Sequence, residues 1–303
     1  MTGIIFNPTA RGDKATRFRR DLADLGSEAR LVPTRCAGDA RLLAAELSAA
    51  GFNTLVAAGG DGTVNEVLNG ICDTPEGLER TRLGVIPLGT VNVFAKELGI
   101  PAGVAGAWRV VRSGHERRVD LPCAEFRGVD GKPERRHFAL MAGAGLDSRA
   151  IALVDWEHKK RIGPLAYVWA GIRAMRPPHP QVRVTLGEIT RVVELAEIGN
   201  GRLYGGRFPV FPRARLDDGR LDVTLFPRVT WPRVAAVFAR LLLNRLEGSP
   251  DALLLQSETL TLAAETAASE VPFHLDGDVV GTLPARISVQ PRRLRVATDA
   301  TRG

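Results

Sequence analysis

Lysine is scarce in this chain of 303 residues, cysteine scarcer, and long apolar runs are missing. Cys36, Cys72 and Cys123 lie far apart and share no CxxC spacing. That excludes a disulfide framework and a cysteine–zinc motif, and fits a reducing cytoplasm. The five histidines show no ligand spacing. No stretch of 18 or more apolar residues exists, so no membrane-spanning helix is expected. The start, MTGIIFNP, reads neither as a signal peptide nor as a myristoylation site. A cytoplasmic protein with at most peripheral membrane contact is expected.

The only lysines are Lys14, Lys96, Lys132, Lys159 and Lys160, so the net charge of +7 is carried almost entirely by arginine. A basic balance favours phosphate-bearing partners. High-GC codon usage is the plainer source of the arginines. Nothing in the chain points to nucleic acid. The length allows two domains of roughly 150 residues each.

The first third alternates strand-like and helix-like segments. GIIFNP, EARLVPT, NTLVAAGG and RLGVIPLGT read as strands. DKATRFRRDLADLG, GDARLLAAELSAAG, TVNEVLNGI and VNVFAKELG read as helices. This alternation predicts a mostly parallel sheet covered by helices, with ligands at the carboxyl ends of the strands. From about Arg118 the segments are short, alternating and bounded by Gly, Pro or Asp, which predicts an antiparallel β-sandwich. Two helices interrupt it, near 155–175 and 232–246. The expected division is an α/β nucleotide-binding domain at 1–117 and a β-rich lipid-binding domain at 118–290, with 291–303 packing back on the first.

The stretch LVAAGGDGTVNEVLNG, Leu55–Gly70, carries the chemistry. Glycines at 59, 60 and 62 let the backbone approach a ligand. The helix that follows offers unpaired N–H groups to an anion. Asp61 in that turn should repel phosphate, unless Mg²⁺ lies between them. An ordinary strand-to-helix turn with Asp61 as a cap is the alternative. No GxxxxGK[ST] is present, so the chain is not a P-loop NTPase.

GGDGTVNEVLNG resembles the signature of the diacylglycerol kinase catalytic domain family, which includes bacterial soluble lipid kinases, sphingosine kinases and ceramide kinases. FNPTARG resembles its early Asn-Pro loop. VIPLGTVNVFAKELGIP resembles its PLGTxNDFAR segment, but has Val93 where Asp is common. RVDL, GAGLDS, YGGRFPVFPRARLDDGRLDV and VPFHLDGD resemble further blocks in order, the last with Asp278 in place of Glu.

The resemblance implies an ATP- and Mg²⁺-dependent kinase acting on a hydroxyl of diacylglycerol or a related lipid. It implies that Asn7, Pro8, Thr9, Ala10, Arg11, Thr34, Gly59, Gly60, Asp61, Gly62, Thr63, Val64, Asn65, Glu66 and Thr90 line the ATP site. Asp61 and Asp120 would organise the catalytic Mg²⁺ through water. Asp276 or Asp278 would act as general base. A second, structural Mg²⁺ would use the Asp218 carboxylate with the carbonyls of Arg215 and Arg220; a metal-free turn is the alternative there. An NAD kinase-like enzyme on a soluble substrate and a non-catalytic nucleotide- or lipid-binding relative stay open.

A lipid acceptor implies work at a membrane surface, and a homodimer is compatible with the resemblance. WEHKKRIGPLAYVWAGIRAM mixes Trp156, Tyr167 and Trp169 with Lys159, Lys160, Arg161 and Arg173, which suits an anionic interface as well as it suits a packed helix. On the second helix Val234, Val237, Phe238, Leu241 and Leu242 share a face, opposite Arg233, Arg240 and Arg245. Ordinary packing with a solvated basic face is the expectation there.

Overall fold

The computed structural model describes residues 1–8, 25, 28–153, 165–266 and 270–299, with 165–169 as backbone only. Thr9, Ala10, Arg11, Trp156, Lys159, Lys160, Arg161, the helix expected over 13–26 except Leu25, and the side chains of Tyr167 and Trp169 lie outside the described residues.

Four strands, β1 (Thr2–Phe6), β2 (Arg30–Pro33), β3 (Thr54–Gly59) and β4 (Arg82–Pro87), form a parallel sheet in the order β4-β3-β1-β2. Every residue of β3 is buried, as a strand covered on both faces must be. The helices of this half are α1 (Asp39–Ala49), α2 (Asp61–Cys72), α3 (Gly77–Arg80), α4 (Val93–Glu97) and α5 (Val104–Arg112). Ala40, Ala44, Leu47 and Ser48 recur at helical spacing on α1 and are its buried stripe. Ile4, Ile5, Leu55, Leu68, Leu83 and Ile86 are the fully buried heart of this half.

The second half is antiparallel. Its strands are β5 (Glu116–Gly128), β6 (Pro133–His137), β7 (Met141–Gly145), β8 (Val182–Leu186), β9 (Ile189–Val193), β10 (Leu195–Gly199), β11 (Leu221–Phe226), β12 (Leu253–Ser257), β13 (Thr259–Ala264), β14 (Pro272–Leu275) and β15 (Asp278–Ala297). The path β12-β11-β10-β7-β14-β15 runs on into β4, so both halves share one sheet. Helices α6 (Leu146–Ala152), α7 (Leu165–Ala174) and α8 (Trp231–Leu242) belong to this half. Val182, Val184 and Leu186 point inward on β8 while Arg183 points out, the alternation the sequence shows. Phe126, Phe138 and Phe273 anchor the second core, the first and last with ring centroids 5.4 Å apart.

β5 crosses the expected boundary at 117/118 and pairs with β15 along most of its length. The register of this pair shifts between Gln290 and Leu294. Beyond that joint β15 reaches β4, with Val296 opposite Leu83. The C-terminal strand thus ties the two sheets into one.

Helix α8 departs from the packing expected of it. None of its residues is fully buried. Trp231 is 55% exposed, Phe238 48% and Leu242 60%. Its apolar stripe faces outward as much as inward.

Candidate active site

Asn7 and Pro8 follow β1, Thr34 follows β2, Gly60 to Thr63 follow β3 and Thr90 follows β4. All four loops therefore meet at the carboxyl edge of the parallel sheet. The loop after β4 lies against the glycine turn, with the Leu88 and Gly89 N–H groups donating to Gly59 O at 2.9 and 3.1 Å. A Cβ on Gly89 would sit 2.4 Å from the Gly60 Cα, so this backbone-on-backbone contact requires glycine. The sequence reading passed over Gly89, although it stands inside a quoted motif.

Helix α2 starts at Asp61 with no side-chain cap, so its N-terminal dipole faces the turn. The Asp61 carboxylate has a partner that the sequence did not reveal. Val93 N–H donates to Oδ2 at 3.0 Å and Phe94 N–H to Oδ1 at 3.1 Å. Asp61 thus caps the neighbouring helix α4, and its presence beside a phosphate cradle does not by itself demand a cation. Val93, where the family motif has Asp, is buried apolar core.

Three residues expected to line the ATP site have other work. Val64 is buried in the core. Glu66 accepts the Gly38 and Ala40 N–H groups at 2.9 and 3.0 Å, and so caps α1. Asn65 donates from Nδ2 to Asp276 Oδ2 at 2.7 Å.

That bond brings the two halves together. Asp276 Oδ2 also accepts Ala139 N–H at 2.9 Å, and Oδ1 accepts Leu140 and Met141 N–H at 2.9 and 3.0 Å. Burial pulls its pKa up against these four donors. With both oxygens engaged twice, Asp276 anchors the DGD hairpin and has no lone pair to spare for a substrate proton. Asp278, two residues on, is exposed. Its Oδ2 lies 3.7 Å from where a Cβ on Gly62 would stand, directly over the start of α2.

Asp120 and the Asp217–Gly219 turn form a different unit. Asp120 is buried; Oδ2 accepts Gly219 N–H and Oδ1 accepts Arg292 N–H, both at 2.7 Å. Burial raises its pKa despite these bonds. Arg292 stands at the register shift of β5 and β15, so Asp120 clamps the joint between the halves. Asp217 pairs with Arg117 at 2.7 Å and with the Arg215 guanidinium at 3.5 Å. Asp218 is exposed, and its Oδ1 accepts Arg220 N–H at 3.0 Å, the bond of an Asx turn.

An apolar cavity of about 340 Å³ lies between the β10–β11 pair and α8. Leu195, Phe226, Val234, Val237, Phe238 and Leu241 line it. The loop that holds its rim, Leu203–Phe208, is tied to α4: Glu97 Oε1 accepts Leu203 N–H at 2.6 Å, and Lys96 Nζ donates to Gly206 O at 3.0 Å. Asp147 and Glu197 stand at its polar end, beside His274. His274 is fully buried and Glu197 is 2% exposed. Burial pushes the Glu197 carboxyl up to about 8. Burial opposes charge on His274, but the Glu197 and Asp147 carboxylates override it and lift the imidazole to about 10. Burial likewise opposes charge on Asp147, yet the His274 contact leaves its pKa lowered. Asp147 Oδ2, both Glu197 oxygens and both His274 nitrogens have no hydrogen-bond partner. A buried polar group left in that state costs about 1–3 kcal/mol. Asp147 lies in the GAGLDS segment and His274 in VPFHLDGD, but no local pattern in the sequence sets either of them, or Glu197, apart.

A parallel α/β half with a glycine turn, joined to an antiparallel half that delivers an aspartate hairpin onto that turn, defines the two-domain kinase class with the NAD kinase-like fold. Residues 2–124 match the model of the diacylglycerol kinase catalytic domain, and 141–298 that of the YegS C-terminal NAD kinase beta sandwich-like domain. The chain belongs to the diacylglycerol kinase catalytic domain family with a YegS-like C-terminal domain. It is 29% identical to a diacylglycerol kinase of Staphylococcus aureus (strain bovine RF122 / ET3-1), over 97% of this chain and 90% of the relative. It is 28% identical to one of Staphylococcus haemolyticus (strain JCSC1435), over 97% and 87%. The fold is shared with the crystal structure of a diacylglycerol kinase from Bacillus anthracis str. Sterne, with a TM-score of 0.74 at 24% identity over 99% and 97% of the two chains. Yeast NADH kinase complexed with NADH has the same fold more distantly, with a TM-score of 0.54 at 10% identity over 100% and 84%.

Proposed function

We propose that this protein transfers the γ-phosphate of ATP to a hydroxyl of diacylglycerol or a related lipid. The observation that carries the reading is the seating of Asp278 over Gly62 at the open N-terminus of α2. A phosphate cradle and a carboxylate facing it are the two parts that phosphoryl transfer to an alcohol requires.

In this reading the glycine turn and the α2 dipole hold the phosphates, Asn65 and Asp276 fix the hairpin, and Asp278 takes the hydroxyl proton. The acyl chain lies in the cavity under α8, whose volume falls within the range of about 300–1,000 Å³ usual for ligand pockets. The exposed Trp231, Phe238 and Leu242, beside Arg233 and Arg240, suit an anionic membrane surface from which the lipid enters.

Mg²⁺ would neutralise phosphate charge when bound. Asp61 fits that role through a water, since each of its oxygens accepts one backbone N–H and keeps a lone pair. The Asp218 carboxylate, with the Arg215 and Arg220 carbonyls, would hold a second Mg²⁺, an ion that prefers oxygen ligands.

The test is transfer of labelled γ-phosphate to a panel of lipids in mixed vesicles. Wild type should label at least one lipid, and Asp278→Asn should lose about 10²–10⁴-fold in kcat. Failure to label any lipid, phosphorylation of NAD instead, or an unimpaired Asp278→Asn variant would overturn the reading.

A further inference from the structure

We propose that Asp147, Glu197 and His274 form a divalent-cation site of the zinc type, whose open coordination position faces the apolar cavity. The sheet builds it. Glu197 on β10 and His274 on β14 are both paired to Gly143 of β7, one on each side. Two strands that flank a third are held apart by twice the strand spacing, roughly 9–10 Å. Their side chains meet only because Gly143 has none. A Cβ there would lie 2.3 Å from His274 Nε2 and 2.6 Å from Glu197 Oε2. Asp147, in the first turn of the helix that follows β7, closes the third side.

The spacing of His274 to the two carboxylates favours an ion over a plain salt-bridge triad. His274 Nε2 lies 3.3 Å from Asp147 Oδ2 and 3.5 Å from Glu197 Oε2. A charge-assisted N–H···O bond closes to about 2.7–2.9 Å, so both contacts are too long for one. Ligands of one tetrahedral Zn²⁺, at about 2.0–2.1 Å from the metal, stand roughly 3.3–3.4 Å apart, and these contacts have that spacing. The atoms of all three side chains lie within 4.8 Å of one another. Asp147 Oδ2, Glu197 Oε2 and His274 Nε2, which face one another in the interior without a well-formed hydrogen bond, are the atoms an ion would satisfy.

The donor set selects the ion. One imidazole and two carboxylates suit Zn²⁺, or Mn²⁺ and Fe²⁺, better than Mg²⁺ or Ca²⁺, which prefer oxygen alone. Among the described residues this is the one group of three or more His, Cys, Asp or Glu side chains so arranged. Three protein ligands with a fourth position open is the pattern of a zinc that binds a further oxygen. Here that oxygen would belong to the polar end of whatever amphiphile fills the cavity. The site is separate from the Asp61 and Asp218 carboxylates and stands whether or not the lipid-kinase reading does.

The experiment uses untagged full-length protein, stripped with chelator and titrated with Zn²⁺ and then Co²⁺. Wild type should take up about one equivalent and should melt at higher temperature with Zn²⁺. Its Co²⁺ form should show the intense visible bands of a tetrahedral ion. Glu197→Gln and His274→Gln should bind by at least the roughly 10–100-fold weaker margin that even an outer-shell change costs. Asp130→Asn, on the exposed turn between β5 and β6, should bind as wild type does. No uptake by folded wild type, a Co²⁺ spectrum of octahedral type, or unchanged binding in folded Glu197→Gln and His274→Gln would overturn the proposal.

Discussion

Asp61 shows how one side chain can mislead and inform at once. Its charge between glycines pointed to magnesium, yet its two oxygens cap α4. Loss of such a cap costs about 0.5–2 kcal/mol. Asp61→Ala should therefore lower the melting temperature as well as activity, whereas Asp61→Asn, still able to accept one of the two N–H bonds, should recover part of the stability. His179 makes a second prediction. Its Nδ1 faces Glu194 Oε2 at 2.9 Å and its Nε2 faces Met175 O at 3.0 Å, so both nitrogens face acceptors, an arrangement that favours the charged ring. Burial opposes that charge but the two acceptors raise the pKa, and burial of Glu194 is likewise outweighed by His179, which lowers its carboxylate. The histidine's contribution to stability is complete below its unfolded value of about 6.5 and fades as pH climbs through the raised folded value; the Glu194 share is complete above about 4.3 and fades in acid. Melting curves of wild type and His179→Gln should thus differ most between those limits and converge in alkali.

At the scale of elements, most strands could be foreseen and most side-chain partnerships could not. The continuous apolar run of β3 and the alternation of β8 declare themselves, because burial on two faces or one leaves a local pattern. The Glu66 cap on α1, the Asn65–Asp276 bond and the grouping around Gly143 join residues distant in sequence, and no local period records them. Helix α8 carried a legible apolar stripe, but the stripe alone did not say whether protein covers it. Its exposure gives a testable outcome. Trp231→Asp with Leu242→Asp, neither of which lines the cavity, should weaken sedimentation with anionic vesicles and raise KM for vesicle lipid. Turnover of a short-chain, water-dispersed lipid should change much less, and equal losses on both substrates would point to damaged folding of the cavity.

At the scale of the molecule, the two halves are one sheet sewn by β5 and β15. Residues 278–297 supply the Asp278 hairpin, the centre of the antiparallel core and the last strand beside β4. Unfolding should therefore be a single transition, with helix signal and aromatic signal coincident in urea. Two separated transitions would show that the parallel half holds without its C-terminal strand.

The clamp at Asp120 carries this further. Where β5 and β15 shift register, the ladder is at its weakest, and two short bonds from one carboxylate bridge the gap. Asp120 therefore pins the joint at which the two halves meet. Hydrogen exchange would read this directly: the Gly219 and Arg292 amides, slow in wild type, should exchange quickly in Asp120→Ala while the strands on either side stay protected.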